Sequence, residues 1–94
     1  MNELSLFKTP EEINKDLALK LKQIRRRRKI TQEELSNLSG VSLGSIKRFE
    51  ASGQISLISF TKIAFALGLE NEVSFLFENA GFLSIEEVIR GQNK

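Results

Sequence analysis

Residues 31–52, TQEELSNLSGVSLGSIKRFEAS, constrain the fold more tightly than any other stretch of this chain. Thr31 can cap a helix, and Glu34, three places on, can reach back to it; together they make a capping box. Leu35 and Leu38 then fall on one side of that helix. Gly40 supplies the left-handed backbone that a sharp turn needs. Val41 anchors the turn, and Ser42 caps a second helix in which Ile46 and Phe49 repeat the spacing of three and point into a core. Ser42, Leu43, Gly44, Ser45, Lys47 and Arg48 are left facing outward. Small residues at the start of a helix and cations further along are what a helix laid in a DNA major groove requires, close approach first and donors after it.

The rest of the chain also reads as helix. Thr9-Pro10-Glu11-Glu12 is a start signal with a cap, a proline in the first turn and a glutamate at the third position. Ile13, Leu17, Leu21 and Ile24 follow at helical spacing to about Arg28. Gly53 suits a C-terminal cap after the third helix. Ser56 can open a fourth, with Leu57, Phe60, Ile63, Ala64 and Leu67 on one face and a stop near Gly68. Asn71 is placed to cap a short fifth helix through Glu78, broken by Gly81, and Ser84-Ile85-Glu86-Glu87 can begin a last turn. No alternation calls for a strand before residue 80. The expectation is an all-α, compact five-helix domain over residues 1–81, with residues 82–94 as a tail for dimer or partner contact. Ninety-four residues support one hydrophobic core and not two.

Charge narrows the partner. The net charge of +2 conceals eleven Lys or Arg against four acids between residues 15 and 62, a balance of +7, while the ends are acidic. Seven cations lie in KLKQIRRRRK, residues 20–29, without one acid. This basic section coincides with the two-helix motif and suggests a polyanion on one face; taken alone, the arginine run reads equally well as a solvated helix face. Catalysis has little to work with, since the chain holds no His, Cys, Tyr or Trp and no Gly-rich phosphate loop. The Glu11-Glu12, Glu33-Glu34 and Glu86-Glu87 pairs stand near helix starts, where capping alone would place them. Neither an enzyme nor a cofactor is expected. The lack of cysteine, of a signal-like start and of a membrane-length apolar run makes a reducing cytoplasm the plain reading.

Residues 32–51 resemble the helix-turn-helix of the phage Cro and repressor-like family, also called XRE. The matching positions are Gln32, Leu35, small Ser36 in the crook, Gly40, Val41, Ile46 and Phe49, and the likeness runs from about residue 17 to 69. The resemblance implies a lambda-repressor-like fold, a DNA-backbone contact from Gln32, and a structural ion pair between Arg25 and Glu50 that takes Arg25 out of the DNA-facing set. Arg27, Arg28 and Lys29, at the end of the first helix and the turn into the second, would lie near a phosphate, and Ser42 could serve as cap and phosphate ligand together. Related repressors often carry an adenine-reading glutamine where this chain has Leu43, which can contact only a thymine methyl or a sugar. Gly44 removes a further side chain, so specificity falls to Ser45, Lys47 and Arg48, or to DNA shape.

Apolar residues exceed what a domain of this size hides comfortably. Ile58 and Phe65 form a second face on the fourth helix, and Phe75, Leu76, Phe77, Phe82 and Leu83 follow. Such a surplus marks a partner surface, here a homodimer seam suited to a palindromic operator; alternatively the tail folds back and completes the core. Two functions are expected. One is a repressor, homodimeric and autoregulatory, on a double-stranded DNA operator. The other follows from a narrower likeness to small regulators that accompany Hip-type kinase toxins: an antitoxin that binds a protein toxin as well as its operator. No membrane partner is expected.

Overall fold

The computed structural model describes residues 8–82 of the chain, in which five α-helices are followed by one 3₁₀ turn. They are α1 (Pro10–Arg27), α2 (Gln32–Ser39), α3 (Leu43–Ser52), α4 (Leu57–Ala66) and α5 (Glu70–Ser74), with the 3₁₀ turn at Asn79–Phe82. The described residues include no strand.

Hydroxyl caps start the first four helices. Thr9 Oγ1 accepts from the Glu12 N–H at 3.1 Å, and Glu12 accepts from the Thr9 N–H at 3.3 Å. Thr31 and Glu34 form the same reciprocal pair at 3.0 and 2.9 Å. Hydrogen bonding of the Glu34 carboxyl by the Thr31 backbone N–H, and next by the Thr31 hydroxyl, holds it below its ordinary value of 4.5. Ser42 and Ser56 accept from the N–H groups of Ser45 and Ser59, each at 3.2 Å. Each bond satisfies an N–H that no helical carbonyl reaches. Gly40 and Gly53, at φ 76° and 80°, close α2 and α3 in the left-handed conformation.

The core gathers around α3, which packs on α1 and α2, while α2 also meets α4 and α4 meets α5. Ala18, Leu21, Leu35, Val41, Ile46, Phe49, Ile63 and Leu67 are buried together, flanked by Ile24, Ile30, Ile55, Phe60, Ala66 and Leu69. Phe49 meets Phe60 edge-on, with ring centroids 6.0 Å apart. Burial of these side chains is the main favourable term for a domain this small.

The apolar pattern departs from the sequence expectation in four places. On α1 the buried row is Ala18, Leu21 and Arg25, while Ile13 and Leu17 are exposed at the margin. The Gly53 cap after α3 lies against the backbone of Asn14 and Lys15, and Ile13 and Leu17 stand about 100° around the helix from Asn14 and Ala18. Leu38 and Leu57 are exposed; one is the penultimate residue of α2, the other the first of α4. Helix α5 begins at Glu70 rather than at an Asn71 cap, because the turn after α4 sets its entry. There Gly68 adopts φ 74° and the Leu69 N–H donates to the Ala64 carbonyl at 2.8 Å. It also ends at Ser74 rather than Glu78, since Leu76 and Glu78 donate three residues back, to Val73 and Phe75, and Phe77 takes φ 66°. The Phe82 side chain, Leu83, the Ser84 start signal and the tail beyond it lie outside the described residues.

Candidate nucleic-acid interface

The turn between α2 and α3 is closed by its own polar groups. The Gly40 N–H donates to the Ser36 carbonyl at 2.9 Å, Ser36 Oγ donates to the Val41 carbonyl at 2.6 Å, and the Val41 N–H donates to Ser39 Oγ at 3.1 Å. Ser36 is thus both small and bonded across the crook. With Val41 buried beneath it, the turn fixes the direction in which α3 leaves.

Helix α3 has two sides. Ile46 and Phe49 are buried, and Gly44, Ser45, Lys47 and Arg48 are exposed, as their spacing requires. A Cβ placed on Gly44 would meet nothing within 4 Å, so the start of the helix is open to close approach. Leu43 is half-buried, which leaves part of its side chain at that surface. The Ser42 hydroxyl caps the helix and lies 2.8 Å from that of Ser45.

A buried polar cluster ties three elements together behind this face. Arg25 Nε donates to Glu50 Oε2 at 2.7 Å and Nη2 to Oε1 at 3.0 Å, with side chains 10% and 5% exposed. Arg25 Nη1 donates to the Ile30 carbonyl at 2.7 Å. Gln32 Nε2 donates to Glu50 Oε1 at 2.9 Å. Every side-chain nitrogen of Arg25 and both oxygens of Glu50 are used, the condition for a buried pair to persist. The Arg25–Glu50 pair is the one expected from the family resemblance. Gln32 stands where expected, in the first turn of α2, but one N–H of its amide is committed to Glu50.

The basic run divides by environment. Arg25 is buried, while Arg26, Arg27, Arg28 and Lys29 are exposed. Lys29 sits at φ 58° in the turn leading to α2. Arg28 reaches the turn after α4: its Nη1 would lie 3.3 Å from a Cβ on Gly68.

One partnership escaped the sequence. Gln54 Oε1 accepts from Arg48 Nη2 at 2.7 Å and from Arg48 Nε at 3.2 Å. Arg48 and Gln54 line a shallow depression with Ser45, Ile55, Ser56 and Ser59, between α3 and the start of α4. Nothing in the spacing marks Gln54, which follows the Gly53 cap and belongs to no helix.

On α4 and the segment after α5, Ile58, Phe65, Phe75, Leu76 and Phe77 are each more than half exposed. The described residues hold no cluster of His, Cys, Asp or Glu that could bind a metal, and no helix long and apolar enough to cross a membrane.

The family model described as Helix-turn-helix matches residues 21–70, just over half the chain, from the later turns of α1 to the first residue of α5. No curated protein and no solved structure matches the chain. The capped α2, the left-handed turn at Gly40 and the two-sided α3 lie inside the matched span, and the chain belongs to the helix-turn-helix family of Cro/C1-type DNA-binding regulators.

Proposed function

We propose that this protein is a sequence-specific repressor that binds its operator as a homodimer, with α3 in the major groove, and represses its own gene. The observation that carries the reading is the division of α3: Ile46 and Phe49 are buried, while Ser45, Lys47 and Arg48 stand exposed beside an unobstructed Gly44. Lys47 and Arg48 can donate to guanine O6 and N7 or to phosphate; Ser45 can bond to either. Leu43 packs on a thymine methyl or a sugar. The helix dipole at the start of α2 favours a phosphate near Gln32, whose remaining amide N–H is available to it, and Ser42, Arg28 and Lys29 add to the backbone contacts. The exposed Ile58, Phe65, Phe75 and Phe77 support a two-fold seam, with Phe82 continuing it in sequence.

Fluorescence anisotropy tests both parts, comparing the gene's own upstream region with a scrambled duplex at two salt concentrations. Preference for the upstream region that survives higher salt, with two protomers per site, is the expected result. Weak binding to both duplexes that salt erases would overturn it. A protomer that prefers the operator but remains monomeric at micromolar concentration would move the apolar face to another partner, the protein toxin of the antitoxin reading.

A further inference from the structure

Arg25 and Arg48 are both held by side-chain oxygens, but of opposite kinds. Arg25 meets the carboxylate of Glu50, which cancels its charge in a buried site. Arg48 is exposed and meets the neutral amide oxygen of Gln54, which holds the guanidinium by Nε and Nη2 and leaves its full charge in place. A guanidinium carries five N–H donors in a fixed fork. With one edge occupied, the Nη1 side and the second Nη2 hydrogen remain for a ligand.

Gln54 is itself anchored. Its backbone N–H donates to Ser52 Oγ at 3.2 Å, and Ser52 Oγ donates to the Arg48 carbonyl at 2.6 Å. Between them Gly53 lies so close to the backbone of Asn14 and Lys15 that no Cβ fits. The path from the Arg48 carbonyl through Ser52 to Gln54, and from the Gln54 side chain back to the Arg48 side chain, is therefore a closed ring pinned to α1. A long cation that would otherwise sample many rotamers is restricted before any ligand arrives, which lowers the ordering cost of binding.

We propose that Gln54 is a positioning residue for DNA recognition: it fixes the guanidinium of Arg48 on the α3 surface while leaving its charge uncompensated, so that one pre-oriented edge of Arg48 meets the duplex. This rests on the reading of α3 as the groove helix. Gln54 acts through Arg48 and does not touch DNA itself.

The test combines the free protein with a preferred duplex selected from a random pool. In the free protein, Gln54→Leu speeds hydrogen exchange at the Arg48 Nε–H, followed by ¹⁵N NMR, with no change in thermal midpoint. On DNA, the same variant loses about tenfold in preference for the selected duplex over a scrambled one. Its non-specific binding and salt slope stay as in the wild type, because the charge of Arg48 is still present. In an Arg48→Ala background, Gln54→Leu changes nothing further. Gln54→Glu keeps the clamp but offsets the charge, so it weakens binding to every duplex and flattens the salt slope by about one. Unchanged Nε–H exchange, unchanged preference, or an effect of Gln54→Leu that persists without Arg48 would overturn the proposal. A wild-type protein that binds all duplexes alike would instead overturn the groove reading of α3, whatever the NMR result.

Discussion

Replacing Gly53 by alanine measures how tightly α3 is seated on α1. Two costs arise there. The first is conformational: Gly53 sits at φ 80°, where an L side chain costs about 1–2 kcal/mol. The second is steric. A Cβ would lie 2.7 Å from the Asn14 carbonyl carbon, 2.8 Å from the Lys15 nitrogen and 2.9 Å from the Asn14 oxygen. These are backbone atoms of a capped helix and cannot swing aside, so reaching ordinary contact needs a shift of about 0.7 Å between the two helices. Overpacking of that kind costs about 1–3 kcal/mol, bringing the total to about 2–5 kcal/mol. Gly40 provides the control: its φ is 76°, but a Cβ there meets nothing within 4 Å, so Gly40→Ala carries only the conformational cost. Urea denaturation of both variants isolates the helix contact by subtraction. Thermal melts should separate them by about 4–8 °C for each kcal/mol. Equal losses at the two positions would refute the steric argument, and with it the account of how α3 is seated.

Two further perturbations probe the scaffold. Arg25→Ala leaves the Glu50 carboxylate, 5% exposed, without its cation, and should cost about 3–5 kcal/mol by denaturant unfolding; replacing Arg25 by Met and Glu50 by Leu together should cost clearly less than the sum of the single losses, and additive losses would contradict a coupled pair. The depressed Glu34 carboxyl contributes stability that is present above its unfolded value of 4.5 and is lost as pH falls through its lower folded value. The stability gap between wild type and Glu34→Gln should therefore be open at neutral pH and close in acid; a gap independent of pH would contradict the charged capping box.

What was legible in the sequence was local. Thr9, Thr31, Ser42 and Ser56 each bond within three residues, and Gly40 and Gly53 carry a backbone conformation that few other residues adopt, so helix starts and stops could be read directly. Ile46 and Phe49 followed because α3 is short and packed along one side. Periodicity failed at the helix ends: it cannot tell Leu35 from Leu38, or Phe60 from Leu57, since each pair shares a face and only one member is covered. Helix α5 was misplaced because Gly68 and Leu69, and not a polar cap, set its entry. At the interface, Lys47 and Arg48 were visible as exposed cations, but the hold of Gln54 on Arg48 was not. That bond spans six residues around a glycine turn, and no helical or strand repeat encodes such a spacing.

The same distinction explains why the interface rests on two arginines with different acceptors. A ten-residue helix is marginal alone, so α3 takes its orientation from its anchors. Arg25 links α1, the Ile30 carbonyl and Glu50, and Glu50 also receives Gln32 from the first turn of α2. One carboxylate thereby ties α3 to the Gln32 side chain at the start of α2, keeping the two in register. Neutralising that arginine is compatible with function because its task is geometric. Under the proposed reading, an arginine that meets a polyanion must keep its charge and still be held, and an amide oxygen is one neutral side-chain acceptor that permits both. A carboxylate at residue 54 would hold Arg48 at least as firmly but would offset its charge. In the proposed reading, the pairing of Arg25 with Glu50 and of Arg48 with Gln54 separates the cation that organises the domain from the cation that meets DNA.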